Sequence, residues 1–332
     1  MKALLERLFH HETLTKEEAR DVLTRISREE YNPSQVASFI TVFLMRSLTV
    51  AELSGFREAL LDLCVSVDIG GIESIDVCGT GGDGKNTFNI STLSSFVIAG
   101  AGYKVTKHGN YGVSSVSGSS NVLESLGYRF TNDQEALARQ LDKAGICFYH
   151  APLFHPALKS VGPIRKNLGI KTFFNMLGPL VNPAQPTHQM TGVYNLTVFR
   201  LYRYLFEDLG HRFAIVHGFE GFDEISLTDQ TKLYSSNRGE DVVSSTTFGM
   251  PRYDVAQISG GDSIEDAAKI FLHVLEGTAT QAQTDVVLAN SALAIDCFKS
   301  DSDLHASLHE ARESLSSGRA LEVLKTVVEL SK

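Results

Sequence analysis

The chain has 332 residues, 43% of them hydrophobic and 21% charged, with a formal net charge of −9. It is long enough to bury one large core or two smaller ones, and its acidic balance argues against a nucleic-acid partner. No apolar run approaches membrane length and the N-terminus lacks an apolar secretory segment, so neither a membrane partner nor secretion is expected; a cytoplasmic location, with Cys64, Cys78, Cys147 and Cys297 as reduced thiols, is.

Residues 1 to about 66 read as four short helices. Three capping boxes mark starts: Thr15 with Glu18, Asn32 with Gln35 followed by Pro33, and Thr49 with Glu52. Val36, Phe39, Ile40 and Phe43 recur at helical spacing and predict one apolar face. Gly70-Gly71 then marks a boundary, after which strands and helices alternate, the pattern of an α/β sheet. A strand over 75–78 leads into four glycines within six residues, 79–84, and then a helix over 90–101. A glycine loop between a strand and a helix start frees backbone N–H groups and adds the helix dipole, which together bind anions.

The loop matches two phosphate-binding patterns and completes neither. Gly79-x-Gly81-x-x-Gly84 asks for an acidic residue after the next strand, and Lys107-His108 stand there; Gly84-Lys85 asks for a hydroxyl residue next, and Asn86 follows. Asp83 inside the loop is more informative. A carboxylate beside phosphates is repelled unless a sugar hydroxyl or a divalent cation lies between them, so the ligand is expected to combine phosphate, sugar and metal.

A strand over 103–106 feeds a second loop, 107–121, rich in Gly, Ser and Asn with Lys107 and His108 at its head. It leads into a helix over 119–126 stopped by Gly127. Both loops follow parallel strands and are expected at one sheet edge. A helix over 133–144 and a strand over 146–149 come next, and then six of the eight prolines fall within 35 residues around Arg165. An arginine beside Phe173 and Phe174 suits an aromatic carboxylate, though a lone arginine is more often structural. A helix over 198–209 and a strand over 213–217 precede Asp223-Glu224, an acidic pair that is a solvated turn unless it faces the glycine loop, where it could hold Mg²⁺. Strands near 231–235 and 241–247 and helices over 263–275, 284–298 and 318–330 complete the reading.

These motifs together resemble the anthranilate phosphoribosyltransferases over nearly the whole chain: Gly79-Thr-Gly-Gly-Asp83, Asn89-Ile-Ser-Thr92, Lys107-His-Gly-Asn110, Ser117-Gly-Ser119, Val122-Leu-Glu124, Arg165, Phe174-Asn-Met-Leu-Gly-Pro179, His217-Gly218 and Asp223-Glu224. The resemblance implies a helical domain, 1–70 joined by helices from about 156–182, packed on an α/β domain, 71–332, whose central sheet is mostly parallel. It implies a homodimer through the helical domains, and transfer of the phosphoribosyl group of phosphoribosyl pyrophosphate to anthranilate with Mg²⁺, two ions per subunit. Carried over residue by residue, Gly79, Gly82, Asp83, Thr87, Asn89, Ile90, Ser91, Thr92, Lys107, Gly109, Ser114, Ser115 and Ser119 would surround phosphoribosyl pyrophosphate. Asn110 and Arg165 would receive anthranilate beside His108, and Ser91, Asp223 and Glu224 would bind the metal. His108 and Lys107 are candidates for a catalytic part, with no general base assigned.

Three positions depart from the resemblance, Tyr111 and Val116 where basic residues are common and Asn121 where Asp is, which lowers the positive charge expected around the pyrophosphate. A pyrimidine nucleoside phosphorylase of the same fold is opposed by Arg165 and the acidic pair. A non-catalytic nucleic-acid-binding relative is opposed by those carboxylates and by the net charge.

Overall fold

A computed structural model describes residues 1–112 and 116–332. Four helices open the chain: α1 (Lys2–Phe9), α2 (Lys16–Ser27), α3 (Pro33–Met45) and α4 (Val50–Asp62). The capping boxes form at Thr15, Asn32 and Thr49, each side chain accepting the N–H three residues on while that residue's side chain reaches back. Each cap is worth about 1 kcal/mol.

Seven strands follow: β1 (Ile75–Gly79), β2 (Val105–Gly109), β3 (Ile146–His150), β4 (His188–Gly192), β5 (Arg212–Gly218), β6 (Thr231–Ser235) and β7 (Gly239–Val243). They form one sheet in the order β3-β2-β1-β4-β5-β6-β7, parallel from β3 through β5 and antiparallel beyond. Between them run α5 (Ile90–Gly100), α6 (Ser119–Ser125), α7 (Gln134–Ala144), α8 (Ala151–Phe154), α9 (Gly162–Leu168), α10 (Phe174–Leu177) and α11 (Leu196–Leu209). The chain closes with α12 (Ile264–Leu275), α13 (Gln281–Asp296), α14 (Leu304–Ser316) and α15 (Arg319–Leu330).

Side chains alternate across the sheet and divide the core. Ala214 and Val216 join the cluster under α5, α13 and α15, whereas Phe213 and Ile215 join a second cluster with α1–α4, α11 and the connection of 157–181. Phe173 enters that second cluster, stacking on Phe56 at 4.8 Å and Phe174 at 4.4 Å. Among the described residues no helix is long and apolar enough to cross a membrane.

Beyond shifts of a few residues at element ends, such as β7 stopping at Val243 where the reading ran to 247, three elements differ from the sequence reading. β4 is absent from it, because His-Gln-Met-Thr-Gly lacks apolar alternation; its side chains are held from outside the sheet, Gln189 donating to the Pro179 carbonyl at 2.9 Å and His188 stacking on Phe298 at 4.1 Å. β2 runs to Gly109 rather than ending at 106, so Lys107 and His108 lie inside the strand. The helix α14 was also missed, although Leu304, Leu308, Ala311 and Leu315 behind the Asp303 cap carry the helical period.

The position of β4 fixes where a ligand can sit. The chain builds β1, β2 and β3 outward to one side and then places β4 on the other flank of β1, so the order reverses between β1 and β4. Such a switch point opens a crevice at the strand C-termini.

Candidate active site

A cleft of about 340 Å³ occupies that crevice, lined by the glycine loop, the end of β2, the acidic pair and the segment of 174–181. At its floor Gly79 and Gly192 stand in register on β1 and β4. A Cβ at Gly79 would collide with the Asp223 carboxylate, and one at Gly192 with the Asp223 backbone. The paired glycines therefore make the space into which Asp223 folds. The loop beyond uses Gly81, Gly82 and Gly84 at φ of 63°, 77° and 73°, a left-handed conformation that a Cβ would strain. Asp223 Oδ2 accepts the Gly81 N–H at 2.8 Å, and Asp83 Oδ1 accepts the Lys85 N–H at 3.0 Å.

The acidic pair therefore faces the glycine loop and is no exposed turn: Asp223 is 8% exposed and Glu224 half-buried. Glu224 accepts from the Thr87 hydroxyl at 3.3 Å. Burial and the nearby Asp83 charge push the Asp223 carboxyl up to about 7, and burial beside Asp223 raises Glu224 well above the carboxylate range. Asp83 is raised as well, by burial, and its Oδ2 has no hydrogen-bond partner. Three crowded acids with an orphaned oxygen are what a divalent cation relieves. Among the described residues no three His, Cys, Asp or Glu side chains form a ready-made metal cage. Two carboxylates with a nearby hydroxyl, Ser91 on the cleft wall, fit Mg²⁺ because that ion keeps several waters.

Lys107 is not a free loop cation. It is 2% exposed, its Nζ donates to the Val77 carbonyl, and its charge acts on the buried Asp76. Asp76 in turn accepts the His108 N–H at 3.3 Å and the Asn182 amide at 2.9 Å, locking β1, β2 and the connection together. His108 takes the opposite face of the strand. Its Nδ1 pairs with the Gly178 carbonyl at 3.0 Å, which assigns the hydrogen to Nδ1, and leaves Nε2 without a partner. Burial, aided by His155 with ring centroids 5.1 Å away, lowers His108 to about 3, so the ring is neutral.

In the second loop Asn121 does the work of a clasp, its Oδ1 accepting both the Gly112 N–H at 2.9 Å and the Gly118 N–H at 3.0 Å. Ser119 Oγ donates to the Asn110 carbonyl at 3.2 Å, and the Asn89 amide bridges to the Ser117 carbonyl at 3.1 Å, tying the second loop to the start of α5. Tyr111 lines the cleft with its ring edge on His150 at 4.7 Å and its hydroxyl on Glu124 at 2.8 Å. The far wall carries Arg165, whose guanidinium sits 5.2 Å over Phe174 and donates to Asn175 Oδ1 at 3.4 Å.

Of the residues expected at the site, Gly79, Gly82, Asp83, Thr87, Asn89, Ser91, Thr92, Lys107, His108, Gly109, Asn110, Ser119, Arg165, Asp223 and Glu224 all line this cleft. Ile90 does not; it is fully buried in the core under the sheet, where the helical period turns it away from the loop. Ser114 and Ser115 lie outside the described residues. Asn175 was missed as a lining residue, although it sits inside the quoted Phe174-to-Pro179 motif beside Arg165.

Residues 2–64 match the helical bundle domain, and residues 72–321 the a/b domain, of a glycosyl transferase family. The chain is 54% identical over 331 residues to the anthranilate phosphoribosyltransferase of Flavobacterium johnsoniae, covering all of both chains, and 52% identical to that of Bacteroides fragilis over the same span. Among solved structures, the anthranilate phosphoribosyltransferase of Thermus thermophilus superposes with a TM-score of 0.92 at 30% identity, covering 98% of each chain. That of Saccharomyces cerevisiae in complex with PRPP and Mg gives 0.91 at 26% identity, covering 98% of this chain and 96% of the other.

Proposed function

The chain belongs to the anthranilate phosphoribosyltransferase family, and we propose that its cleft carries that family's reaction with the residues described above. It transfers the phosphoribosyl group of phosphoribosyl pyrophosphate to anthranilate, giving N-(5-phosphoribosyl)anthranilate and pyrophosphate in tryptophan biosynthesis. The yeast relative's complex with PRPP and Mg and its complex with 4-fluoroanthranilate support both substrates and the metal.

The observation that carries the assignment is Asp223 seated in the space left by Gly79 and Gly192, holding the glycine loop while its carboxylate crowds Asp83 and Glu224. The loop amides, Asn89, Thr92 and Ser119 hold the phosphates and ribose. Lys107 acts from beneath, through its field, because its ammonium is committed to Val77. Ser91, Asp223 and Glu224 hold Mg²⁺, two ions per subunit, and bound Mg²⁺ supplies charge neutralisation for the pyrophosphate. Asn110 and Arg165 orient the anthranilate carboxylate so that its amine faces C1 of the ribose. Bond-breaking at C1 needs positioning and charge stabilisation more than a strong base, and the neutral His108 offers its Nε2 only as an acceptor for the amine.

With the chain divided into 1–70 joined by the helices of 156–182, and 71–332, the acceptor would meet Arg165 of the first unit and Asn110 of the second, and the donor the loops of the second. The exposed Phe9 and Met45, 59% and 81% accessible on α1 and α3, support a homodimer through the helical layer. The absence of a spanning helix among the described residues accords with a cytoplasmic enzyme. Mixing the protein with phosphoribosyl pyrophosphate, anthranilate and Mg²⁺ tests the reading: anthranilate fluorescence should disappear with one pyrophosphate released per anthranilate. Persistent fluorescence with all three present would overturn it.

A further inference from the structure

The connection of 162–181 meets the glycine loop at Lys171. Gly169, at φ 67°, ends α9 in a left-handed cap, and two residues later Lys171 reaches across before Phe173 anchors the chain in the helical core. The Lys171 Nζ donates to the Gly82 carbonyl. Its stem also lies over the glycine, for a Cβ built on Gly82 would stand 3.3 Å from Lys171 Cε and 3.4 Å from Cδ. Lysine is neither in the loop nor part of the cleft lining, whereas Gly82 and Asp83 are.

A trans peptide holds its C=O and the following N–H on opposite sides. An ammonium that draws the Gly82 carbonyl toward the connection therefore turns the Asp83 N–H away from it, and that N–H has no partner among the described residues. With φ positive at Gly81, Gly82 and Gly84, this stretch has more backbone freedom than any other residue type would allow, so an external hold has something to fix. The same segment carries Arg165, six residues upstream of Lys171, so the hold also links the acceptor wall to the donor loop.

We propose that Lys171 is a positioning residue for the reaction, one that orients the Gly82–Asp83 peptide unit so that its amide is presented to the phosphate-bearing substrate. The inference rests on the cleft binding phosphoribosyl pyrophosphate as read above. It makes the lysine act through the backbone, without contact to the substrate, and equally in the ground and transition states. Its loss should therefore raise KM for phosphoribosyl pyrophosphate and leave kcat nearly unchanged.

Three proteins assayed side by side decide it. The unmodified enzyme establishes that phosphoribosyl pyrophosphate is used at all, so failure there falls on the function and not on Lys171. Lys171→Met keeps the stem over Gly82 and removes the donor; KM for phosphoribosyl pyrophosphate should rise on the order of tenfold, with the thermal midpoint unchanged. Lys171→Arg, which can still donate to the carbonyl, should recover most of that loss. An unchanged KM in Lys171→Met, or a fall confined to kcat, would overturn the proposal. So would a loss in Lys171→Met that Lys171→Arg reproduces in full.

Discussion

The two walls of the cleft are built by opposite means. The donor wall is backbone held by polar groups: left-handed glycines, a carboxylate on the Gly81 N–H, and a buried Asp76–Asn182–His108 network beneath. The acceptor wall is a short helical segment held by rings, with Phe173 stacked between Phe56 and Phe174 and Arg165 resting on Phe174. The first is a structure of directed, charge-sensitive contacts, which should fail sharply when one partner goes. The second rests on area and shape, so removal of its polar group should cost binding and leave the fold.

The largest expected effect breaks the donor wall at its carboxylates. Asp223→Asn with Glu224→Gln should lose Mg²⁺-dependent turnover by at least roughly 10²-fold, the scale on which removing one preorganised electrostatic group slows an enzyme. Because both acids sit crowded and raised, their neutral analogues should leave the thermal midpoint in the absence of Mg²⁺ equal to or above that of the parent. Full activity in the double variant would remove these residues from the metal site.

Lys107 should behave as a buried cation whose field helps keep Asp76 ionised against the burial that pushes that carboxyl up to about 6. Lys107→Met strands the Asp76 charge in the core and should cost on the order of 3–5 kcal/mol by urea unfolding. Adding Asp76→Asn to it should restore part of that loss. If the single variant keeps its stability and only weakens substrate binding, Lys107 serves the substrate and not the core.

On the acceptor wall, Arg165→Ala should raise KM for anthranilate by a charge-assisted contact, roughly 1.5–3 kcal/mol, with the fold intact. Phosphoribosyl pyrophosphate binding, followed by calorimetry, should barely change. The reverse pattern would move Arg165 to the phosphates and dissolve the contrast between the walls.

The neutral histidine gives a pH test at the seam between them. His108 is lowered by burial to about 3, so the unfolded chain gains its proton near pH 6.5 while the folded ring does not. The contribution of the neutral ring to stability is whole above about 6.5 and drains away as pH falls toward 3. The loss amounts to about 2 kcal/mol by pH 5. Unfolding titrations of the parent and of His108→Asn between pH 5 and 8 should converge at the acid end; parallel curves would mean that the native ring takes up its proton as readily as the unfolded one.

The same contrast governs what the sequence made legible. Glycines, capping residues and the run from Asp83 to Thr92 act locally, so the helical starts, the anion loop and its carboxylates could be placed from spacing. The facing of Asp223 could not, because it depends on Gly192, on a strand whose polar residues hide it and are held by Pro179 and Phe298 outside the sheet. Lys107 read as a loop cation because its partners, Val77 and Asp76, lie on the neighbouring strand. Arg165 was found through its aromatic neighbours, but Asn175 and Lys171, whose roles are set by folding back across the cleft, were not.

The smallest effect belongs to the second loop, where Tyr111 and Val116 leave the donor wall without added positive charge. Tyr111→Arg was the natural way to restore a cation there, and the structure shows what that cation would meet. The tyrosine hydroxyl lies 2.8 Å from Glu124, and its ring rests on His150. An arginine at 111 would be drawn to the same carboxylate and so would be largely neutralised before any phosphate arrived. Phosphoribosyl pyrophosphate affinity should then rise no more than a few-fold at low salt and lose that gain at high salt, where an exposed pair is screened. Combining Tyr111→Arg with Glu124→Gln frees the cation and should enlarge the gain at low salt. If the single and double variants bind phosphoribosyl pyrophosphate alike at both ionic strengths, Glu124 does not hold the cation back and the loop's charge acts by some other route.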